Sequence, residues 1–230
     1  MLMGAVSSGL LPDENSWNAL FSSLALAEKA AANECQKISD QFLSEGKFDL
    51  AKEYEDLVYE EFRHCELAFS VARKIVPITS RARAVYNGEL FTAHASILER
   101  MASVHLVFEP AALAFLGYVS AHSKELIADE KWAKQITSAF NQILRDEVSH
   151  VMNGSKAIQK FWSNASEQEK KASLRTMKKH RAFLKAGLRS FFKDNDNQKI
   201  FLKTMLDRFD FYYERALKGG FHEEPTQVAS

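Results

Sequence analysis

Two short stretches, Glu61-Phe62-Arg63-His64 and Glu147-Val148-Ser149-His150, repeat one pattern: a glutamate and a histidine three residues apart, inside apolar residues at helical spacing. In an α-helix, residues i and i+3 lie on one face about a turn apart, so each pair can direct a carboxylate and an imidazole at one ion. Two such pairs imply two ions, and a fold that brings two helices face to face. Carboxylate with imidazole suits iron or manganese, whereas thiolates favour zinc or iron–sulfur clusters.

Apolar residues recur at helical period along nearly the whole chain and no segment alternates as a strand would, so the chain reads as all-α. A first helix is expected from Asp13 or Ser16 to Leu43, with Trp17, Phe21, Glu28, Cys35, Ile38 and Phe42 on its stripe and Gly46 as its terminating C′ glycine. A second runs from Phe48 to Val76 through Tyr54, Leu57, Glu61, His64, Ala68 and Val71, and Pro77 closes it. After a basic connector broken at Asn87-Gly88, a third begins near Glu89 and carries Leu98, Ala102, His105, Glu109, Leu116 and Val119. The fourth, Lys131 to Trp162, aligns Trp132, Ile136, Phe140, Ile143, Glu147, His150 and Gly154. Four stripes of period near 3.5 predict a four-helix bundle over residues 13–163. The capping box Ser166-x-x-Glu169 opens a further helix to about Lys193, and Asn195 or Asp196 starts another ending at Gly219-Gly220. Residues 164–220 are thus expected as a helical extension of the same single domain, with a loose tail after Phe221.

Ionised carboxylates in a bundle core are costly unless paired or bound to metal, yet Glu28, Glu61, Glu109 and Glu147 stand where neighbouring turns carry Leu or Ala. Four carboxylates balance two divalent ions. Glu28 competes with Glu34, about 120° around the helix, and lies nearer the stripe centre; Glu109 is favoured over Glu99, which sits one residue off its stripe. Pro110 either kinks or bulges the helix and re-aims Glu109, or starts a new helical segment. His105, one turn before Glu109, reads as a hydrogen-bond partner or core residue more than a ligand. A metal-bound imidazole usually gives its other N–H to a carboxylate, so Asp146 is expected to hold His64 and Glu60 to hold His150, each across the bundle.

With 230 residues and 30 basic against 30 acidic side chains, the composition indicates neither disorder nor a globally basic nucleic-acid binder. The longest stretch without a formal charge, Pro110 to Ser123, is 14 residues and too short to span a bilayer. No basic segment marks the first residues as a secretion signal, and the two cysteines, Cys35 and Cys65, offer neither a CxxC site nor a disulfide framework, so a reducing cytoplasm is expected. Between Lys170 and Lys193 there is no acidic residue, and Lys171, Arg175, Lys178, Lys179, Lys185 and Arg189 project to one helix face. That face could dock an acidic reductase such as a ferredoxin, a substrate-bearing carrier protein or, least expected, nucleic acid.

In chain order, Glu28, Glu61/His64, Glu109 and Glu147/His150 resemble the ferritin-like di-iron carboxylate superfamily over Ser16 to Trp162. The segments Glu60-Glu61-Phe62-Arg63-His64 and Arg145-Asp146-Glu147-Val148-Ser149-His150 look like the acidic-Glu-x-x-His segments of bacterial multicomponent monooxygenases and ribonucleotide reductase small subunits. Glu109-Pro110-Ala111-Ala112-Leu113-Ala114-Phe115 and the RDExxH segment are similar to those of cyanobacterial aldehyde-deformylating oxygenases. Ala68, four residues after His64, stands where radical-storing reductase subunits carry tyrosine, which speaks against that role. The resemblance implies a ferritin-like four-helix bundle with two additional C-terminal helices. It also implies a non-haem di-iron oxidase or oxygenase using dioxygen, an external electron donor and a small apolar organic substrate; a homodimer is compatible with it. Glu28, Glu61 and His64 would serve one iron and Glu109, Glu147 and His150 the other, with Glu61 and Glu147 bridging; manganese could replace iron. Aldehyde deformylation specifically, or iron storage of the ferritin or bacterioferritin kind, are the alternatives. Phe62, Phe108, Phe115 and Phe140 are expected to wall a dry cavity beside the ions.

Overall fold

A computed structural model describes residues 14–74, 95–191 and 196–217. Pro77, Asn87-Gly88, a helix start at Glu89, Gly219-Gly220 and the tail lie outside them. Among the described residues every regular element is helical. The first helix, α1, spans Glu14–Ser44. Gly46 takes φ 71° beyond it, while its N–H donates to the carbonyl of Leu43 at 3.0 Å and the N–H of Lys47 to that of Phe42 at 2.9 Å. This is the paired arrangement of a Schellman turn, which needs the left-handed backbone that glycine adopts without strain. The chain turns back at once into α2, Phe48–Val71, which packs along α1.

The second helix stops short of the expected Val76. Ala72 leaves the helix with ψ 111°, and the indole N–H of Trp132 donates to the freed carbonyl of Val71 at 2.7 Å. Beyond it Arg73 pairs with Asp129 and lies 4.5 Å over the Trp132 ring. Helix α3, Ile97–Ala121, likewise begins later than expected. Ser96 caps it, accepting from the N–H of Glu99 while the Glu99 carboxylate accepts from the N–H of Ser96, a capping box that fixes the first turn and accounts for Glu99. A short α4, Ser123–Leu126, follows. Asp129 then caps α5, Glu130–Asn164, by accepting from the N–H of Trp132 at 2.9 Å. The outer helices are α6, Glu167–Phe191, opened by the expected Ser166/Glu169 box, and α7, Asp196–Leu217.

Helices α1, α2, α3 and α5 pack around one interior. Helix α6 lies against the first part of α3, and α7 against its second part. Covered from both sides, α3 is apolar nearly all round. By length and composition alone it could cross a membrane, but most of it is buried in this packing. Most of the buried apolar side chains fall into two layers, with a small third cluster of Ala25, Cys65 and Ala68. One layer contains Ile38, Phe42, Tyr54, Met101 and Val151; the other contains Phe21, Leu116, Ile136, Phe140 and Ile143. Glu28 on α1, Glu61 and His64 on α2, and Glu147 and His150 on α5 fall between members of the two, and Glu109 on α3 comes before Phe115 and Leu116 of the second, so these polar residues form one stratum across the middle.

Candidate metal centre

Glu28 from α1, Glu61 and His64 from α2, Glu109 from α3, and Glu147 and His150 from α5 are all buried, none more than 5% exposed. They form two overlapping groups, Glu28/Glu61/His64/Glu147 and Glu61/Glu109/His150, in each of which one ligand atom per residue lies within 4.8 Å of the others. Nδ1 of His64 is 3.2 Å from Oε1 of Glu147 and 3.5 Å from Oε2 of Glu61. Nδ1 of His150 is 3.3 Å from Oε1 of Glu61 and 3.9 Å from Oε2 of Glu147. The carboxylates of Glu61 and Glu147 therefore both stand between the two imidazoles. Each of the six residues also keeps a buried atom without a hydrogen-bond partner: Oε1 of Glu28, Oε2 of Glu61, Glu109 and Glu147, and Nδ1 of both histidines. Buried polar atoms are normally satisfied, and six orphans aimed into one stratum fit a set of metal donors.

The outward nitrogens are held by carboxylates from the opposite helix. Nε2 of His64 donates to Asp146 at 3.0 Å, and Nε2 of His150 donates to Glu60 at 2.7 Å. Because an ionised carboxylate only accepts, Nε2 carries a proton and Nδ1 is the nitrogen that faces inward. Arg63 pairs with Asp146. His105 is committed at both nitrogens, Nδ1 to Oε1 of Glu109 and Nε2 to the hydroxyl of Tyr54, each at 2.7 Å. It sits beside Glu109 as a brace.

Immediately before Glu109 the helix widens into a π-turn, Val104–Phe108, where the N–H of Glu109 reaches the carbonyl of Val104. Pro110 follows within the continuous helix. Proline cannot give an N–H to the carbonyl of Leu106 and would crowd it in a regular turn, and the wider turn relieves both demands. The expected bulge is thus present beside Glu109. The space it opens is filled by His105 against α5 at Gly154, where a Cβ would stand 2.1 Å from Cγ of His105.

The buried acids and imidazoles shift one another's protonation. Burial works against the charge on His64, but Glu147 and Glu61 outweigh it and push the imidazole up to about 11; burial likewise opposes His150, which Glu60 and Glu61 carry up to about 12. Burial and then the charge of Glu61 raise Glu147 to about 7, and burial with Glu61 and Glu147 holds Glu28 well above the usual carboxylate range. Burial also opposes ionisation of Glu61, yet His150 and His64 hold it well below that range.

Glu34 is buried too, but it pairs with Arg100 of α3 and with Lys37, and so stays out of the centre. Of the four expected wall residues, Phe115 and Phe140 are buried with ring centroids 6.3 Å apart. Phe62 is 42% exposed, because its position a third of a turn from Glu61 faces it outward. Phe108 meets His180 of α6 in a tilted ring contact, centroids 5.4 Å apart, outside the bundle. Tyr54, Gly154 and Arg63 were not singled out from sequence as parts of the centre. Compared with known proteins, the chain matches no protein-family model and no curated protein sequence.

Proposed function

We propose that this chain is a non-haem di-iron oxidase or oxygenase that uses dioxygen on a small, largely apolar organic substrate. The observation that carries the reading is the set of six buried donor atoms without partners, drawn from four helices into one stratum. Four carboxylates and two neutral imidazoles balance two divalent ions, and the all-oxygen-and-nitrogen donor set suits iron or manganese. A pair of such ions supplies the electrons that dioxygen needs. The protein's own part is to hold and insulate them. Glu61 and Glu147, lying between the imidazoles, would bridge; Glu28 with His64, and Glu109 with His150, would complete the two sites. Asp146 and Glu60 fix the Nε2 protons so that both Nδ1 lone pairs point inward, and the apolar layers on either side exclude water.

Iron bound per chain after aerobic loading tests this reading. About two ions per chain are expected, lost in Glu147→Ala while the helical circular dichroism persists. Full occupancy in Glu147→Ala would overturn the assignment, and hundreds of ions per assembly would make the protein a store.

A further inference from the structure

We infer that the exposed basic face of α6 is the docking surface for an acidic, one-electron donor protein of the [2Fe–2S] ferredoxin type; the inference rests on the di-iron reading above. Lys171, Arg175, Lys178 and Arg189 are exposed along one face of α6, with Leu174 and Ala182 between them. None of the four cations forms an ion pair with a described residue, and no acidic residue follows Glu169 in this helix. Lys185, on the same projection, is instead bound to Asp210 of α7 at 2.6 Å, as is Arg181 at 2.7 Å, so these two fasten the outer helices together. The face is thus a row of cations without ion-pair partners among the described residues, edged by Leu174, which is 42% exposed.

The opposite side of the helix packs against α3, the helix that carries Glu109. Met177 and His180 are buried, Thr176 donates to Glu99 at 2.9 Å, and the His180 ring makes a tilted contact with Phe108, the residue directly before Glu109. A donor seated on α6 is therefore separated from a proposed ligand by one helix and one aromatic contact. The two cysteines, both buried, are too few to ligate a four-thiolate cluster, so the described residues hold no such cluster of their own to deliver electrons. One electron passes at each encounter: the donor is oxidised by one and a ferric ion is reduced to ferrous. Charge selects an acidic partner, and extent selects a protein over nucleic acid. Lys171 to Arg189 covers about 27 Å at 1.5 Å per residue, the width of a small domain. A duplex would run past it onto a surface that carries the acids of a chain with net charge zero.

The experiment uses the full iron-loaded chain and a reduced plant-type ferredoxin as probe. Replacing Lys171, Arg175 and Lys178 together by Glu is expected to slow iron reduction by ferredoxin roughly tenfold or more, the scale of electrostatic steering. Reduction by dithionite should be unchanged. Ferredoxin binding to the metal-free chain, followed by calorimetry, should weaken between about 0.05 and 0.2 M salt as screening shortens the reach of the charges. Absence of ferredoxin binding, equal slowing with both reductants, or tighter binding of a DNA duplex than of ferredoxin would each overturn the inference. Failure to load iron would overturn the di-iron reading instead, and binding to the metal-free chain would still decide this one.

Discussion

Gly154 has no side chain because the ring of His105 occupies the space one would need. The consequence reaches Glu109, which His105 holds at 2.7 Å. Gly154→Ala must push His105 aside and free Glu109, so metal analysis should find the Glu61/Glu109/His150 group emptied first and occupancy near one ion per chain. Tyr54→Phe removes only the far end of the brace; it should keep two ions but weaken the second about tenfold, the lower end of losses seen when outer hydrogen-bond partners of metal ligands are removed. Two tightly held ions in Gly154→Ala would show that His105 packs without positioning. Neither Tyr54 nor Gly154 stood out in the sequence. Tyrosine and glycine on an apolar stripe are ordinary, and only the π-turn brings them to one histidine.

At the scale of elements, α3 is the member on which the rest depends: α6 and α7 cover its outer side, and it carries Glu109 inward. Phe209 of α7 is buried in this cover, beside Tyr213 at 6.3 Å and under Nζ of Lys185 at 5.9 Å. Phe209→Ala should cost about 3–5 kcal/mol in urea unfolding; a loss under about 1 kcal/mol would mean that α7 is only loosely attached. The helices themselves were largely legible, because glutamates and histidines keep the phase of their apolar neighbours. Helix ends were less so, and for a physical reason. Ser96-x-x-Glu99 carries the same capping signature as Ser166-x-x-Glu169, but the apolar period continues upstream of it and masks the start. The early end of α2 depends on Trp132, 61 residues further along, whose indole takes the last carbonyl, and no local pattern encodes that contact. The buried polar stratum was readable for the opposite reason: a buried acid at an apolar phase is a local anomaly. The outward turn of Phe62 was equally open to reading, since a residue next to a core-facing glutamate cannot also face the core.

For the whole molecule, the fold buries four carboxylates and two imidazoles in one stratum, where protons and ions would compete for the same atoms. At pH 7 the raised values of His64 and His150 keep both imidazoles protonated, so binding releases protons, and affinity rises with pH. Ions bound at about a thousand times their dissociation constant stabilise the folded state by about 4 kcal/mol. For a chain of this size that raises the thermal midpoint by roughly 8–16 °C. Calorimetry with and without Fe²⁺ or Mn²⁺ should show this increment at pH 8 and a smaller one at about pH 6, where protons compete better. An increment independent of pH would place the ions away from the two histidines.

The centre has an approximate two-fold symmetry. Each of α2 and α5 offers a Glu-x-x-His, and each helix supplies the carboxylate that holds the other's imidazole. One side chain breaks the symmetry: Arg63 neutralises Asp146 behind His64, whereas Glu60 behind His150 has no cation partner among the described residues. An acceptor with its full charge draws the Nε2 proton more strongly and makes the imidazole more electron-rich. The two ends of the centre are therefore chemically inequivalent, and if an unlike pair of ions were held there, the His150 end would suit the more highly charged one.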